Sequence, residues 1–158
     1  MYAELIDLLS CHLLDPHERE EMARQVANAP HDTEYNWAGD FQEIAIAAAL
    51  ADQLADFVAW ADNIESTHEQ IQDMFDRDFP DFPKELTGEE HGVALYFAWL
   101  DKELSKMAVE EGGYDVVELD TGADDNLRLL VVFRKDVARI LELATALNLG
   151  IHRPKGDQ

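Results

Sequence analysis

Carboxylates crowd two short stretches of this chain: Asp120, Asp124 and Asp125 in DTGADD, and Asp76, Asp78 and Asp81 in DRDFPD. Two carboxylates a few ångströms apart can share a proton and activate water, and several oxygens together can hold a hard cation. Pro80 breaks the spacing of the second run, and neither run has the later glutamate of a helix–loop–helix calcium site, so no metal is assigned. Glu65-x-x-His68 has the spacing of a di-iron carboxylate motif, but such bundles use two copies and this chain has one. His17 and Glu21, one helical turn apart, read as a solvated pair, and His31 and His91 fall in or beside loops. Cys11 and His12, taken as neighbours on a helix, diverge by about 100° around its axis and cannot act as nucleophile and base. Cys11 reads instead as a small buried hydrophobe. With no P-loop or dinucleotide glycine fingerprint either, no catalytic residue and no cofactor is assigned.

DTGADD resembles, letter for letter, the catalytic run of the retroviral-type aspartic proteases. The resemblance implies a catalytic Asp120, a second aspartate from an identical subunit, and a mostly β subunit with a glycine-rich flap. Only 38 residues follow Asp120, much of that stretch has a helical pattern, and no glycine-rich flap occurs. Gly122 and Asn126 tolerate positive φ while Asp and Thr favour turns, so the run is predicted to turn a hairpin. The protease reading is rejected.

The aromatic loop FPDFP offers a site of another type. Phe79, Asp81 and Phe82, with Asp76 and Asp78 before them and Trp37 from the other long loop, are the candidate partner-binding rim. The competing reading folds both phenylalanines back over the end of the core. A groove beside Trp37 and Trp60, or a face of the sheet, would seat a small ligand.

These residues must be carried by a definite set of elements. Tyr2, Leu5, Ile6, Leu9 and Leu13 recur at helical spacing, and Asp15-Pro16-His17-Glu18 restarts a helix with a capping box. A helical hairpin is therefore predicted over residues 1–30. After a loop, Asp40 and Glu43 repeat the capping spacing before a helix apolar nearly all round. Residues 57–61 read as a short strand, with a continued helix as the alternative. Ser66 with Glu69 and Thr87 with Glu90 mark two further helix starts, the second helix ending at Gly112-Gly113. Residues 114–119 and 127–133 then form a hairpin, the second strand apolar on both faces and the first, with Asp115, Glu118 and Asp120, an edge. A helix with Val137, Ile140, Leu141, Ala144 and Leu147 follows, stopped by Gly150, with a short strand at Ile151–Arg153. From residue 57 this is the ferredoxin-like split β-α-β order. It predicts an α+β fold with an antiparallel sheet of three to four strands. The strands at Phe57 and Leu127 would be central, the helices on one face, and the second face covered by the N-terminal hairpin or a second subunit.

One domain fits the 158 residues, with the α+β core over 40–153 and a polar tail over 154–158. Hydrophobic residues make up 47% of the chain, enough for a packed core, so the charge does not signal disorder. That charge is −22, and it is uneven: residues 1–127 carry 31 acids and 6 bases, residues 128–158 carry 3 acids and 6 bases. Such a chain repels nucleic acid and anionic membrane, and its charge reads either as solubility in an acid-rich proteome or as attraction for a basic protein partner. One cysteine, the absence of a signal-peptide pattern and the lack of a membrane span point to the cytoplasm.

FVAWADNIESTHEQIQDMF and VVELDTGADDNLRLLVVFRKDVARILELATALNLGI, within residues 40–153, together are similar to an uncharacterised family of small bacterial proteins, a domain of unknown function. The resemblance implies a bacterial cytoplasmic origin and carries over no catalytic residue. The expected function is therefore a non-enzymatic acidic interaction or regulatory protein, immunity-like or nucleic-acid-mimicking, acting as a monomer or homodimer on a basic partner. A small-ligand sensor and a metal-assisted hydrolase on the acidic loops are the alternatives.

Overall fold

The computed structural model describes residues 1–86 and 93–154. The N-terminal hairpin forms as expected from α1 (Tyr2–Leu9) and α2 (Pro16–Asn28). The capping box is complete: Asp15 Oδ1 accepts from the Glu18 amide at 2.8 Å, and Glu18 Oε1 accepts from the Asp15 amide at 3.4 Å. Cys11 and His12 do not continue α1. Both are left-handed, with φ of 55° and 61°, so their expected placement on a helix is corrected to a turn beyond it.

Residues Ala29–His31 and Thr33–Ala38 wind into two short 3₁₀ turns before α3 (Gln42–Gln53). Phe41 caps α3, not Asp40 with Glu43, because the 3₁₀ turn carries the chain straight in through backbone bonds from Phe41 to Ala38 and from Gln42 to Asp40. Strand β1 (Val58–Ala61) follows, which settles the strand-or-helix alternative. Helix α4 (Ile64–Met74) starts a turn before Ser66, since the Asn63 side chain accepts from the Ser66 amide at 2.8 Å. The Thr87–Glu90 box and His91 lie outside the described residues.

Helix α5 (Ala94–Ser105) ends well before Gly112-Gly113, which instead turn the chain into β2 (Tyr114–Asp120). Gly113 is required there: its φ is 92°, and a Cβ would stand 2.7 Å from the Ser105 carbonyl oxygen. Strand β3 (Leu127–Phe133) and α6 (Val137–Ala146) complete the run. The stop after α6 falls at Asn148, φ 58°, and Gly150 opens β4 (Gly150–His152).

The fold is α+β, with the four strands antiparallel in the order β1-β3-β2-β4. The split β-α-β core is present, since β1 and β2 both pair with β3. Two strand positions differ from expectation. β1 is an edge and β2 is interior, because β4 pairs with β2 and not with β1. The acids of β2 misled: Asp115 is 1% exposed, with Arg153 at 2.7 Å and Arg134 at 3.6 Å of its carboxylate, so its charge is answered inside the fold.

Helices cover both faces of the sheet, not one. Neighbouring β residues point to opposite sides, so Val117 and Leu130 join Leu5, Leu9, Leu50 and Ile140 in one core. Val116 and Leu129 join Ile71, Tyr96, Leu100 and Leu104 in the other. α4 and α5 cover the second core. The first holds the N-terminal hairpin with α3 and α6, so the cover predicted for the second face of the sheet comes from within the chain.

Candidate functional site

The DTGADD loop is a chain of side-chain-to-backbone turns. Asp120 Oδ1 accepts from the Gly122 amide at 2.9 Å, Thr121 Oγ1 from Ala123 at 3.2 Å, and Asp124 Oδ1 from Asn126 at 2.9 Å. Each bond offers the backbone a partner that strand pairing would otherwise supply, which is why these residue types end β2 and start β3. Asp124 also takes both guanidinium nitrogens of Arg128, at 2.9 and 3.0 Å, and that pairing holds its carboxyl below the usual carboxylate range.

The FPDFP loop folds inward. Phe79 is buried and Phe82 half-buried, and both rings lie against His68, at centroid distances of 5.8 and 5.7 Å. His68 is fully buried. Burial pushes its pKa down, its Nε2 donates to the Pro80 carbonyl at 2.9 Å, and its Nδ1 accepts from the Tyr96 hydroxyl at 2.8 Å. Gln72 binds the same loop, donating to the Phe79 and Pro80 carbonyls and to Asp81 Oδ1. Phe79 and Phe82 therefore pack against the aromatic core, as the competing reading had them. Asp76, Asp78 and Asp81 remain exposed at its surface. Trp37 belongs elsewhere and does not meet them.

Trp37 faces Trp60 across a cleft of about 530 Å³ at the β1 edge of the sheet. Ala48 and Ala51 of α3, Ala55 and Val58 also line it, small side chains beside the two large rings. Trp37 and Trp60 are 59% and 52% exposed, unusual for the largest apolar side chain. Three carboxylates line the cleft: Glu34, Asp52 and Asp124. Asp52 is oriented by the Tyr35 hydroxyl, which donates to its Oδ2 at 2.7 Å. Arg128, directly across from Trp60 in the β1–β3 register, lays its guanidinium 5.7 Å from that ring. Gln70 closes the open edge beneath, accepting from the Trp60 amide at 2.8 Å and donating to its carbonyl at 2.7 Å, as a neighbouring strand would.

The groove beside Trp37 and Trp60 was legible in the sequence as a pair of tryptophans. Arg128, Asp124 and Gln70 were not, because the β3 register and α4 bring them to Trp60 from distant stretches of the chain. A further cleft of about 630 Å³ on the aromatic side is also lined by acids: Asp62, Glu65, Glu118 and Asp120.

The Cys11 thiol is held protonated by its surroundings. Burial and then Asp136 push its thiol up to about 11, and its Sγ donates to the Val131 carbonyl at 3.3 Å. Among the described residues, no three His, Cys, Asp or Glu side chains converge to hold a metal ion, and no helix is long and apolar enough to cross a membrane. No protein-family model matches the chain, and neither the curated proteins nor the solved structures contain a match.

Proposed function

We propose that this protein is a non-enzymatic binding protein that engages a basic protein through its acidic surface, in the manner of an immunity protein or a nucleic-acid-mimicking inhibitor. The carrying observation is how the chain disposes of its few cations. Among the described residues, at least nine Lys and Arg side chains lie within ion-pair distance of the chain's own carboxylates. The chain carries 34 acids against 12 Lys and Arg, so carboxylates outnumber the cations that could pair with them, and both large clefts are acid-lined. A surface of this kind accelerates encounter with a cationic protein and repels nucleic acid. Affinity capture from native lysate at ~0.05 M and ~0.5 M salt tests it, because screening shortens from beyond 10 Å to a few ångströms over that range. A basic protein retained at low salt and released at high salt is expected. Retention indifferent to salt overturns the reading.

The Trp37–Trp60 cleft favours a second reading, a sensor for a small ligand, since its volume lies within the range of about 300–1,000 Å³ typical of ligand pockets. A thermal-shift screen in which no metabolite stabilises the protein removes it.

A further inference from the structure

We propose that the Trp37 half of the cleft receives an arginine side chain of the basic partner; the inference rests on the acidic-surface reading and names its point of specific contact. The Trp60 half already shows the chemistry. There the chain's own Arg128 lies 5.7 Å from the Trp60 ring, and Asp124 takes its guanidinium in a two-pronged pair at 2.9 and 3.0 Å. An aromatic face and a carboxylate on the same cation is a favoured setting for guanidinium, which is planar, stacks on rings and pairs bidentately with carboxylates.

The Trp37 half repeats those parts. The Trp37 ring is 59% exposed and stands 6.5 Å from Tyr35, with Glu34 and Asp52 lining the same cleft. The Tyr35 hydroxyl fixes the Asp52 carboxylate by its 2.7 Å bond, so the acceptor is pre-oriented before a ligand arrives. Arg128 is committed to Trp60 and Asp124, and Trp37 keeps its exposed apolar surface. The alanines that line the cleft leave room for an inserted side chain without displacing a bulky group. Lysine fits less well, since its compact ammonium is strongly hydrated and makes no two-pronged pair.

The experiment titrates the full chain with hexa-arginine and hexa-lysine peptides of equal charge at near-physiological salt, by calorimetry. The arginine peptide should bind about tenfold more tightly, the scale of one desolvated cation–π contact with its paired carboxylate. Trp37→Ala should weaken hexa-arginine about tenfold and hexa-lysine by no more than about twofold, while Trp37→Phe keeps most of the affinity. Unchanged melting of both variants, expected for so exposed a ring, separates loss of contact from loss of fold. Equal, salt-sensitive binding of the two peptides overturns the arginine site and leaves the acidic-surface reading standing. Failure of both peptides to bind at low salt overturns both. A neutral metabolite that stabilises the wild type but not Trp37→Ala, with no arginine preference, overturns the inference in favour of the sensor.

Discussion

The two faces of the sheet are sealed by different means. On the side of α1, α2, α3 and α6 the core is almost entirely aliphatic, with Leu5, Ile6, Leu9, Leu50, Leu130 and Ile140 fully buried. On the side of α4 and α5 the filling is aromatic, with Tyr96, Phe97 and Phe79 buried and Phe75, Phe82, Trp99 and Tyr114 packed against them. Two polar side chains, His68 and Gln72, are buried within that second core and peg an irregular loop to α4. Aliphatic packing asks only for apolar area of about the right shape. The aromatic face has to hold a proline-rich segment with no regular backbone bonding of its own, so its carbonyls need donors from side chains.

Leu129 and Leu130 let the two faces be broken one at a time. They are adjacent on β3, both fully buried, and each belongs to a different core. Truncation of either to alanine should cost about 3 kcal/mol, the middle of the range for buried leucines. The denaturation midpoints should therefore fall alike. The near-ultraviolet circular dichroism should not, because Leu129→Ala loosens the rings around His68 while Leu130→Ala leaves them packed. Equal spectral changes in the two variants would show that the faces are one coupled core.

His68 is the next handle. His68→Ala leaves the Tyr96 hydroxyl and the Pro80 carbonyl without partners and opens a cavity, at a cost of about 2–3 kcal/mol. Its pH dependence follows from the sign of its shift. Burial lowers the folded pKa below the ordinary value of about 6.5, so the folded state prefers the neutral ring. The associated stability is present above the unfolded pKa and is lost as pH falls through the folded one. Urea denaturation of wild type against His68→Gln, which cannot charge, should show the difference shrinking from neutral pH downward. A difference constant with pH would mean that His68 is not held neutral.

The aliphatic face was the more legible from sequence, and the reason is periodic. Leu5, Ile6 and Leu9 sit on a helical repeat, and the Asp15–Glu18 box announces the next helix. The alternation of β3 revealed a strand needing cover on both sides, though not which helices would provide it. The aromatic loop was harder: FPDFP reads as a rim or as a plug over the end of the core, and the side chains that hold its carbonyls, His68 and Gln72, come from the preceding helix with no spacing that announces the contact. Strand order failed for an electrostatic reason. Asp115 looks like an edge charge as long as Arg134 and Arg153, 19 and 38 positions later, are not known to converge on it. The cleft lay between these cases, its two tryptophans visible and its pre-paired Arg128 hidden in the register.

The smallest expected effect sharpens the comparison by reversing its sign. His12 stands at the aliphatic end of the fold, in the turn after α1, bridging Asp7 at 2.6 Å and Asp136 at 3.0 Å and stacked near Phe133. Partial burial opposes its charging, but the bonds to Asp136 and Asp7 outweigh that and raise its pKa. Arg19 competes for Asp7 by donating to its other oxygen at 2.8 Å, while Lys135, next in sequence to Asp136, is held by Glu111. The folded state therefore prefers the charged ring. The associated stability is full below the unfolded pKa and is lost as pH rises through the folded one, the opposite of His68. With the ring 42% exposed, solvent screening holds the effect to about 0.5 kcal/mol. His12→Gln should match the wild type at alkaline pH and fall behind it only toward pH 5–6, and added salt should narrow even that gap. A gap that widened as pH rose would place the neutral ring, not the charged one, in the bridge.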